Sequence, residues 1–246
     1  MTNREILDVA LRQSAAEMNC EAGDFLREGH VVVHSAAREG ARAYLKLPFA
    51  CNLVSYGGNA VASALPEYEE AVRAYLGDNE AYRCLDMPGI QRLAETLGLR
   101  VSIMARYFLP DVEALRPLPC PFEERMLFPA DFVELYKPEW HNALCEDRPH
   151  LDVLGVGAYD GGALVGFAGC SADCEDMWQI GVDVLPAYRR RGIASALTSR
   201  LAVEILARGK TPFYCAAWSN IRSARNAIRS GFRPAWVEVN FRPAAE

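Results

Sequence analysis

Blocks of apolar residues with helical or strand periodicity alternate along the chain. In the first half they predict a helix at about 3–18, a strand around HVVVHSA, a hairpin in CNLVSYGGNAVASAL, helices near PEYEEAVRAYL and MPGIQRLAETLG, and the strand RVSIMARYFL. Gly57-Gly58-Asn59, in the middle of the hairpin, supplies the positive φ angles that a tight turn needs. This half therefore reads as a small α/β domain.

The second half begins after a proline-rich stretch. PDVEALRPLPCPF holds four prolines in thirteen residues and interrupts the periodic pattern, so we expect one domain over 1–119 and another over 120–246. Beyond it the pattern predicts short helices in PADFVELYKPEWHNALCED, the strands LDVLGVGAYD, ALVGFAGCSA and MWQIGVDVL, a helix from about Arg191 to Arg208, the strand PFYCAAW, a helix from about Asn220 to Ser230 and the strand PAWVEVNF. This order of elements predicts a mixed α/β layout.

Composition excludes several classes of protein. A formal net charge of −6 argues against general nucleic-acid binding, and no window approaches the roughly 20 apolar residues of a membrane span. The polar N-terminus does not read as a secretory signal. The eight cysteines lie apart without a C-x-x-C pair, and His30 and His34 would lie about 13 Å apart on a strand, so we expect no metal site and a reducing, cytoplasmic location.

The stretch PAYRRRGIASAL places three arginines where a helix begins. The free N–H groups of a helix N-terminus already carry partial positive charge, so the arginines do not stabilise this helix. Gly192 and Ala194 leave the backbone accessible, and exposed N–H groups at a helix start bind anions. The turn is therefore predicted to hold a negatively charged ligand, the alternative being a solvated helix start.

Two motifs carry a resemblance to a known family. Val184, Pro186, Arg189, Gly192 and Ala194 form V-x-P-x-x-R-x-x-G-x-A, which resembles the acetyl-CoA signature of the GNAT superfamily of N-acetyltransferases. In NIRSARNAIRSGF, an Asn lies eleven residues before a Gly-Phe pair, as in a later helix of that family. The resemblance covers roughly 121–246.

The resemblance implies a fold, a donor and a binding site. The fold would be α/β (α+β type), with a mixed, mostly antiparallel central sheet flanked by helices, and the first 119 residues would be an accessory domain or a degenerate copy. Loop amides would hold the pyrophosphate of coenzyme A, and a splay between two central strands would admit its pantetheine arm. The residues expected to bind acetyl-CoA are Val182, Val184, Arg189, Arg190, Arg191, Gly192, Ile193, Ala194, Ser195, Asn220 and Ser223. Three further arginines on the later helix are candidates for the outer phosphate: Arg222, Arg225 and Arg229.

The reaction implied is direct attack of an amine on the acetyl thioester, polarised by a backbone amide near Val184. An alkylamine with a pKa of about 10.4 costs roughly 4 kcal/mol to deprotonate at pH 7.5, whereas releasing a thiol of pKa about 8.5 as thiolate costs only ~1.4 kcal/mol. Many family members place a tyrosine proton donor where this sequence has Ala227. Tyr214 is a substitute acid, and Glu175 and Asp176 are candidate bases or amine-binding groups, although a strand aromatic and a solvated acidic loop explain them as well.

Two functions of different classes stay open at this point, beside a nucleic-acid or protein-interaction module that uses the arginines, against which the net charge of −6 argues. One is an N-acetyltransferase that acts on a primary amine of a small molecule or protein. The other is a non-catalytic acyl-CoA sensor, which Ala227 favours slightly. The partners expected are acetyl-CoA and an amine, without nucleic acid or membrane. The sequence leaves the acceptor and the oligomeric state open, a homodimer included.

Overall fold

A computed structural model describes residues 1–243 of the chain. Its strands are β1 (Val31–His34), β2 (Cys51–Ser55), β3 (Val61–Ala64), β4 (Leu99–Pro110), β5 (Glu123–Leu127), β6 (Asp152–Asp160), β7 (Ala163–Ser171), β8 (Met177–Val184), β9 (Thr211–Ala217) and β10 (Phe232–Pro243). Its α-helices are α1 (Asn3–Met18), α2 (Pro66–Gly77), α3 (Met87–Leu97), α4 (Pro129–Phe132), α5 (Ile193–Ala207) and α6 (Ile221–Arg229). The predicted mixed, mostly antiparallel sheet flanked by helices is confirmed.

The chain divides into two compact units that interleave along the sequence. Unit 1 comprises Met1–Ile6, Phe108–Cys215 and Asn220–Pro234, and unit 2 comprises Leu7–Tyr107, Ala216–Ser219 and the residues from Ala235 on. Because each unit is built from three separate segments of the chain, no single position divides the two units. The domain boundary between residues 119 and 120 therefore stays a prediction.

Unit 1 is built on the strands β5 to β9. Antiparallel pairing joins β5 to β6, β6 to β7 and β7 to β8, and β8 pairs in parallel with β9. Helix α5 packs on β6, β7 and β8. Gly166 of β7 lies under this helix, where an added Cβ would collide with the side chain of Ile193. The sheet and α5 together position the turn that joins β8 to α5.

Helix α5 begins at Ile193, two residues later than the predicted start. Arg190 and Gly192 have φ angles of 64° and 86°, which a helix cannot contain. Residues 189–192 therefore form a separate turn ahead of the helix.

Strand β5 has no counterpart in the predicted elements. Its sequence, EERML, carries charge at three of five positions, and three of its residues are exposed because β5 borders the sheet beside β6 alone. An exposed edge strand lacks the apolar alternation by which strands are recognised.

Unit 2 packs α2 and α3 against strands β1, β2, β3 and the second part of β10. The core lies between Val72 and Leu76 of α2, Ile90 and Leu93 of α3, and Leu53 of β2, each at most 1% exposed. The predicted hairpin is confirmed as the antiparallel pair of β2 and β3, and β1 runs parallel to β3.

Unit 2 also contains a buried ion network. Arg42 is 4% exposed and donates two hydrogen bonds of 2.6 Å to the carboxylate of Glu17. Its guanidinium also lies 3.4 Å from Glu238, whose other oxygen accepts a hydrogen bond from Asn52. Burial alone would lower the pKa of Arg42, but Glu17, with smaller contributions from Tyr44, Tyr107 and Glu238, outweighs it and raises the pKa above its ordinary value. This arginine therefore keeps its charge inside the protein with countercharges from α1 and β10.

Within residues 1–243, none of the helices combines the length and apolar character that a membrane span requires.

Candidate active site

A cavity of about 840 Å³ opens in unit 1 at the turn between β8 and α5. Seven of the residues predicted to bind acetyl-CoA line it: Val184, Arg189, Arg190, Gly192, Ile193, Ala194 and Ser195. The other lining residues are Pro186, Tyr188, Arg222, Arg225, Asn226 and Arg229. The turn and helix α6 thus face the same space, and the three arginines of α6 proposed for the outer phosphate are part of its wall.

The charge of this cavity is one-sided. Five arginines line it, and the described residues contribute no carboxylate to its wall. This holds in a chain whose formal net charge is −6. A group of cations with no countercharge beside them attracts an anionic ligand with several charges.

The backbone of the turn is arranged for close approach. Arg190 adopts a φ of 64° and Gly192 a φ of 86°; the left-handed region is uncommon for a residue with a side chain. A Cβ added at Gly192 would meet no atom within 4 Å, so the space in front of it is open. Gly192 precedes α5 directly, so a ligand at this glycine would meet the first free N–H groups of the helix.

Strands β8 and β9 separate beside the cavity. Their parallel register runs from Met177 opposite Thr211 to Ile180 opposite Tyr214, and among the described residues it extends no further. Strand β8 continues for four residues to Val184, and β9 for three to Ala217. The ends of β8 and β9 do not pair with each other, although Val184 pairs with Gly166 of β7, and they leave the predicted splay next to the cavity wall at Val184.

Tyr214 is the last residue of β9 in the described register with β8, at the start of the splay. Its side chain is 5% exposed and its hydroxyl lies 2.9 Å from Oγ of Ser223. Burial raises the pKa of Tyr214, which hydrogen bonds from Ser223 and Asn226 partly offset. The phenol is therefore protonated at neutral pH and is able to donate a proton.

Four of the predicted donor-binding residues do not line the cavity. The guanidinium of Arg191 lies over the rings of Tyr188 and Phe122, at 5.2 and 6.0 Å from their centroids. Asn220 caps α6 by accepting a hydrogen bond from the Ser223 N–H, and Ser223 faces Tyr214. Val182 lies within β8, ahead of the cavity wall.

Ser195 lines the cavity, but its hydroxyl donates to the Gly192 carbonyl at 3.2 Å. Arg189 lines it as well while its Nε donates to the Val184 carbonyl at 3.0 Å, which fixes the turn to the end of β8. Both residues therefore shape the turn, and the remaining N–H groups of Arg189 stay available to a ligand.

The candidate bases lie elsewhere. Glu175 and Asp176 are exposed and precede β8, and Asp176 forms an ion pair of 3.5 Å with Lys210. Eight residues of extended strand separate Asp176 from Val184, about 26 Å. Their role as bases stays a prediction, and their placement does not support it.

Sequence reasoning missed Asn226 and Tyr188. Asn226 lines the cavity and donates to Oγ1 of Thr198 on α5, which joins the two helices of the site. It lies four residues after Arg222 and three before Arg229, so helical spacing alone was sufficient to place it on the same face. Tyr188 donates to Asp160 at 2.9 Å, a contact between distant residues that the sequence does not reveal.

Among residues 1–243, no three His, Cys, Asp or Glu side chains are grouped so as to hold a metal ion.

Comparison with known proteins identifies a family model and similar folds. Residues 118–232 match the model of the Acetyltransferase (GNAT) family. No curated protein matches the sequence significantly. The GCN5-related N-acetyltransferase from Kribbella flavida is 16% identical and covers 95% of both chains with a TM-score of 0.54, which shows that the fold of nearly the whole chain is shared with that protein.

Two further solved structures resemble parts of the chain. The GCN5-related N-acetyltransferase-like protein from Streptococcus suis is 21% identical, with a TM-score of 0.46, over 64% of this chain and 69% of that one. The acetyltransferase from the GNAT family from Colwellia psychrerythraea is 16% identical, with a TM-score of 0.48, over 62% of this chain and 60% of that one.

Proposed function

We propose, from the match of residues 118–232 to the GNAT acetyltransferase family model, that this chain transfers an acetyl group from acetyl-CoA to a primary amine of a small molecule or protein. The observation that carries the proposal is the cavity with five arginines and no carboxylate, at the start of α5 and beside the splay of β8 and β9. Coenzyme A has a pyrophosphate, a further phosphate and a long uncharged arm, and these parts fit the cavity and the splay.

The turn and α6 divide the binding of the donor between them. The N–H groups at Gly192 and the start of α5, together with Arg189 and Arg190, face the position expected for the pyrophosphate. Arg222, Arg225 and Arg229 supply cations for the outer phosphate. Acetyl-CoA therefore fits this cavity by its negative charge and by the exposed backbone N–H groups that its phosphates can reach.

The reaction needs an electrophile stabiliser and an acid. A backbone N–H at the end of β8, near Val184, would donate to the thioester carbonyl as charge develops on its oxygen. The neutral amine nitrogen forms a bond to the acetyl carbon, the carbon–sulfur bond breaks, and Tyr214 gives its proton to the sulfur. The proton that the nitrogen loses passes to water, from which the Tyr214 phenolate is reprotonated. The Tyr214 hydroxyl is positioned for this by Ser223, at the first turn of α6.

The alternative is an acyl-CoA sensor without catalysis. The buried Ala227 occupies the position of the tyrosine donor in many family members. Tyr214 places a phenol at the splay in its stead, which favours the enzyme.

The test measures binding and turnover separately. We expect acetyl-CoA to bind the purified chain and to release thiol when a broad panel of primary amines is added. Tight binding of acetyl-CoA with no thiol release on any amine contradicts the enzyme and supports the sensor. Normal turnover by a variant in which Arg190 and Arg225 are both replaced by Gln contradicts the assignment of the cavity.

A further inference from the structure

Polar side chains form a connected network between β9, α5 and α6 of unit 1. Thr198 of α5 is fully buried, and its Oγ1 accepts a hydrogen bond of 3.1 Å from Nδ2 of Asn226 on α6. Asn226 also forms a hydrogen bond with the hydroxyl of Tyr214 on β9. That hydroxyl lies 2.9 Å from Oγ of Ser223, at the first turn of α6. The network therefore links both helices of the donor site to the phenol at the splay.

Asn226 is the member of this network that reaches the donor site. It lines the arginine-rich cavity together with Arg225 and Arg229 of the same helix, whereas Thr198, Ser223 and Tyr214 are not part of the described wall. One half-buried side chain thus contacts α5, the phenol and the space proposed for acetyl-CoA.

Burial makes Tyr214 a weak acid. Its side chain is 5% exposed and packs against the rings of Phe108 and Phe232, with centroids 6.4 and 6.3 Å away. Apolar surroundings disfavour a phenolate, and burial is the largest cause of the raised pKa of this residue.

Charges and hydrogen bonds around the phenol act in opposite directions. Cys215, the next residue of β9, and Asp183 of β8 raise its pKa further. The Asp183 carboxylate itself accepts hydrogen bonds from Asn142. The hydrogen bonds of Ser223 and Asn226 lower the pKa of the phenol. A hydrogen bond has this effect when it stabilises the ionised form, so these two side chains help the phenol to release its proton.

Helix α6 supplies no phenol of its own at this place. Ala227 stands where many members of the resembled family carry a tyrosine, and it is fully buried. The polar groups that α6 contributes here are the amide of Asn226, one position earlier, and the hydroxyl of Ser223, four positions earlier.

We propose that Asn226 is a positioning residue for the acid. Fixed to α5 by Thr198, it directs an amide N–H at the Tyr214 oxygen and stabilises, together with Ser223, the phenolate that proton transfer leaves. In that step the O–H bond of Tyr214 breaks and an S–H bond forms on coenzyme A, and water then reprotonates the phenolate. The role of the phenol as acid rests on the proposed function. The effect of Asn226 on the phenol rests on the network alone.

The first measurement follows the Tyr214 hydroxyl directly. Difluorotyrosine is incorporated at position 214 of the full chain, because its fluorines lower the pKa of the phenol into a range that a fold withstands and give a fluorine NMR signal from this position alone. We expect Asn226→Ala to raise this pKa by about 1, the size of one hydrogen bond to a charged oxygen. Thr198→Val, which frees the amide from α5, should raise it less.

The matched control is Ile228→Ala. Ile228 is 56% exposed on α6 and is not part of the described cavity wall, so the same truncation on the same helix should leave the pKa of the difluorotyrosine and the kcat unchanged.

The second measurement is a cycle of kcat values at pH 7.5 with Asn226→Ala and Tyr214→Phe, alone and together. We expect N226A to lower kcat by about fivefold when Tyr214 is present and by less than about twofold when it is Phe, because the amide then has no phenolate to stabilise. The KM for acetyl-CoA is recorded separately, since Asn226 also lines the donor cavity and a change in KM reports that contact.

A pKa of the difluorotyrosine that N226A leaves unchanged, or an equal loss of kcat with and without the Tyr214 hydroxyl, overturns the proposal. If N226A does not fold, T198V decides in its place: a raised pKa supports the positioning role and an unchanged one overturns it.

The two proposals fail in different ways. A chain that binds acetyl-CoA and releases no thiol on any amine contradicts the proposed function, and the fluorine titration alone then decides whether Asn226 acts on Tyr214. A chain that turns over acetyl-CoA with a kcat independent of Asn226 contradicts only the positioning role.

Discussion

Arginine has opposite roles in the two units. Arg42 of unit 2 is buried and its charge is met by Glu17 and Glu238 from within the chain. The five arginines of the unit 1 cavity face an open space, and none of them forms an ion pair with a carboxylate of residues 1–243. A cation whose countercharge lies inside the protein supports the fold, whereas a group of cations without one is available to a ligand.

The largest effect should come from removing the buried charge. Arg42→Met leaves Glu17 and Glu238 buried without a cation, and we expect the free energy of unfolding to fall by about 3–5 kcal/mol. Urea denaturation measures it. A loss below ~1 kcal/mol would mean that the network adds little to the fold, and the contrast between the two sets of arginines would not hold.

Gly192→Val should abolish close approach of the donor to the turn. The φ of 86° strains any side chain, and the branched Val also fills the open space in front of the backbone. We expect the KM for acetyl-CoA to rise about tenfold or more, ~1.4 kcal/mol or more of lost binding. Gly209→Val is the matched control, because Gly209 has a φ of 73° and open space at the other end of α5. If both variants change the KM for acetyl-CoA equally, backbone strain explains the effect, and blocked approach of acetyl-CoA to the turn does not.

Arg225→Gln removes one cation of the cavity without unpairing a described carboxylate. We expect about tenfold weaker binding of coenzyme A and little change in the binding of dephospho-coenzyme A, because a charge-assisted contact to phosphate is worth about 1.5 kcal/mol or more. Arg200→Gln, which removes an exposed partner of Glu204 on α5, is the control. Equal losses for both ligands would assign Arg225 to the pyrophosphate.

Tyr214→Phe tests the acid at the splay. We expect kcat to fall by up to about tenfold at pH 7.5, since releasing the thiol as thiolate costs only ~1.4 kcal/mol there. The raised pKa keeps Tyr214 protonated through the alkaline range, so the loss should shrink as the pH approaches 8.5, where the thiolate leaves without help. A loss that is constant with pH would indicate a structural role for Tyr214. The variant Ser223→Ala removes only the hydrogen bond between Ser223 and the Tyr214 hydroxyl, and so separates the effect of that bond from the effect of losing the phenol.

The smallest effect concerns a buried carboxylate of unit 1. Burial raises the pKa of Asp152 to about 6, with Asp173 adding to the shift and Arg148 opposing it. The folded state then binds more protons than the unfolded state between about pH 4 and 6, so the free energy of unfolding should decrease as the pH rises through this range. Asp152→Asn should flatten that slope in denaturation curves recorded at several pH values. An unchanged slope would assign the titration to other groups.

The sequence was informative wherever local periodicity or a local motif was sufficient. Helices α1, α2 and α3, the hairpin of β2 and β3, and strands β6 to β10 follow from apolar spacing and turn residues. Strand β5 was not predicted, because an edge strand with charged residues lacks the apolar spacing by which strands are recognised. The fold shared with the protein from Kribbella flavida covers 95% of this chain and so includes most of the N-terminal half. The periodicity of that half alone did not identify this shared fold.

The site shows the same division. Gly192, Arg189 and Arg190 were grouped from the sequence because one turn supplies both the backbone and the charge of the predicted anion site, and all three line one cavity. Arg191 was indistinguishable from Arg190 in the sequence, and only the fold shows that its guanidinium packs on Tyr188 and Phe122. Glu175 and Asp176 were chosen for their closeness to β8 along the chain, but an extended strand carries them about 26 Å from the turn.

The sequence by itself determined the class of the fold, the prediction of an anion-binding turn and the resemblance of its second half to the GNAT family, because each depends on residues close together in the chain. The tertiary structure decided which arginines meet a countercharge, where β8 and β9 part, and that Asp183 joins Asn142 to the end of β8. These are contacts between residues up to 196 positions apart, as for Arg42 and Glu238, and no local pattern encodes them.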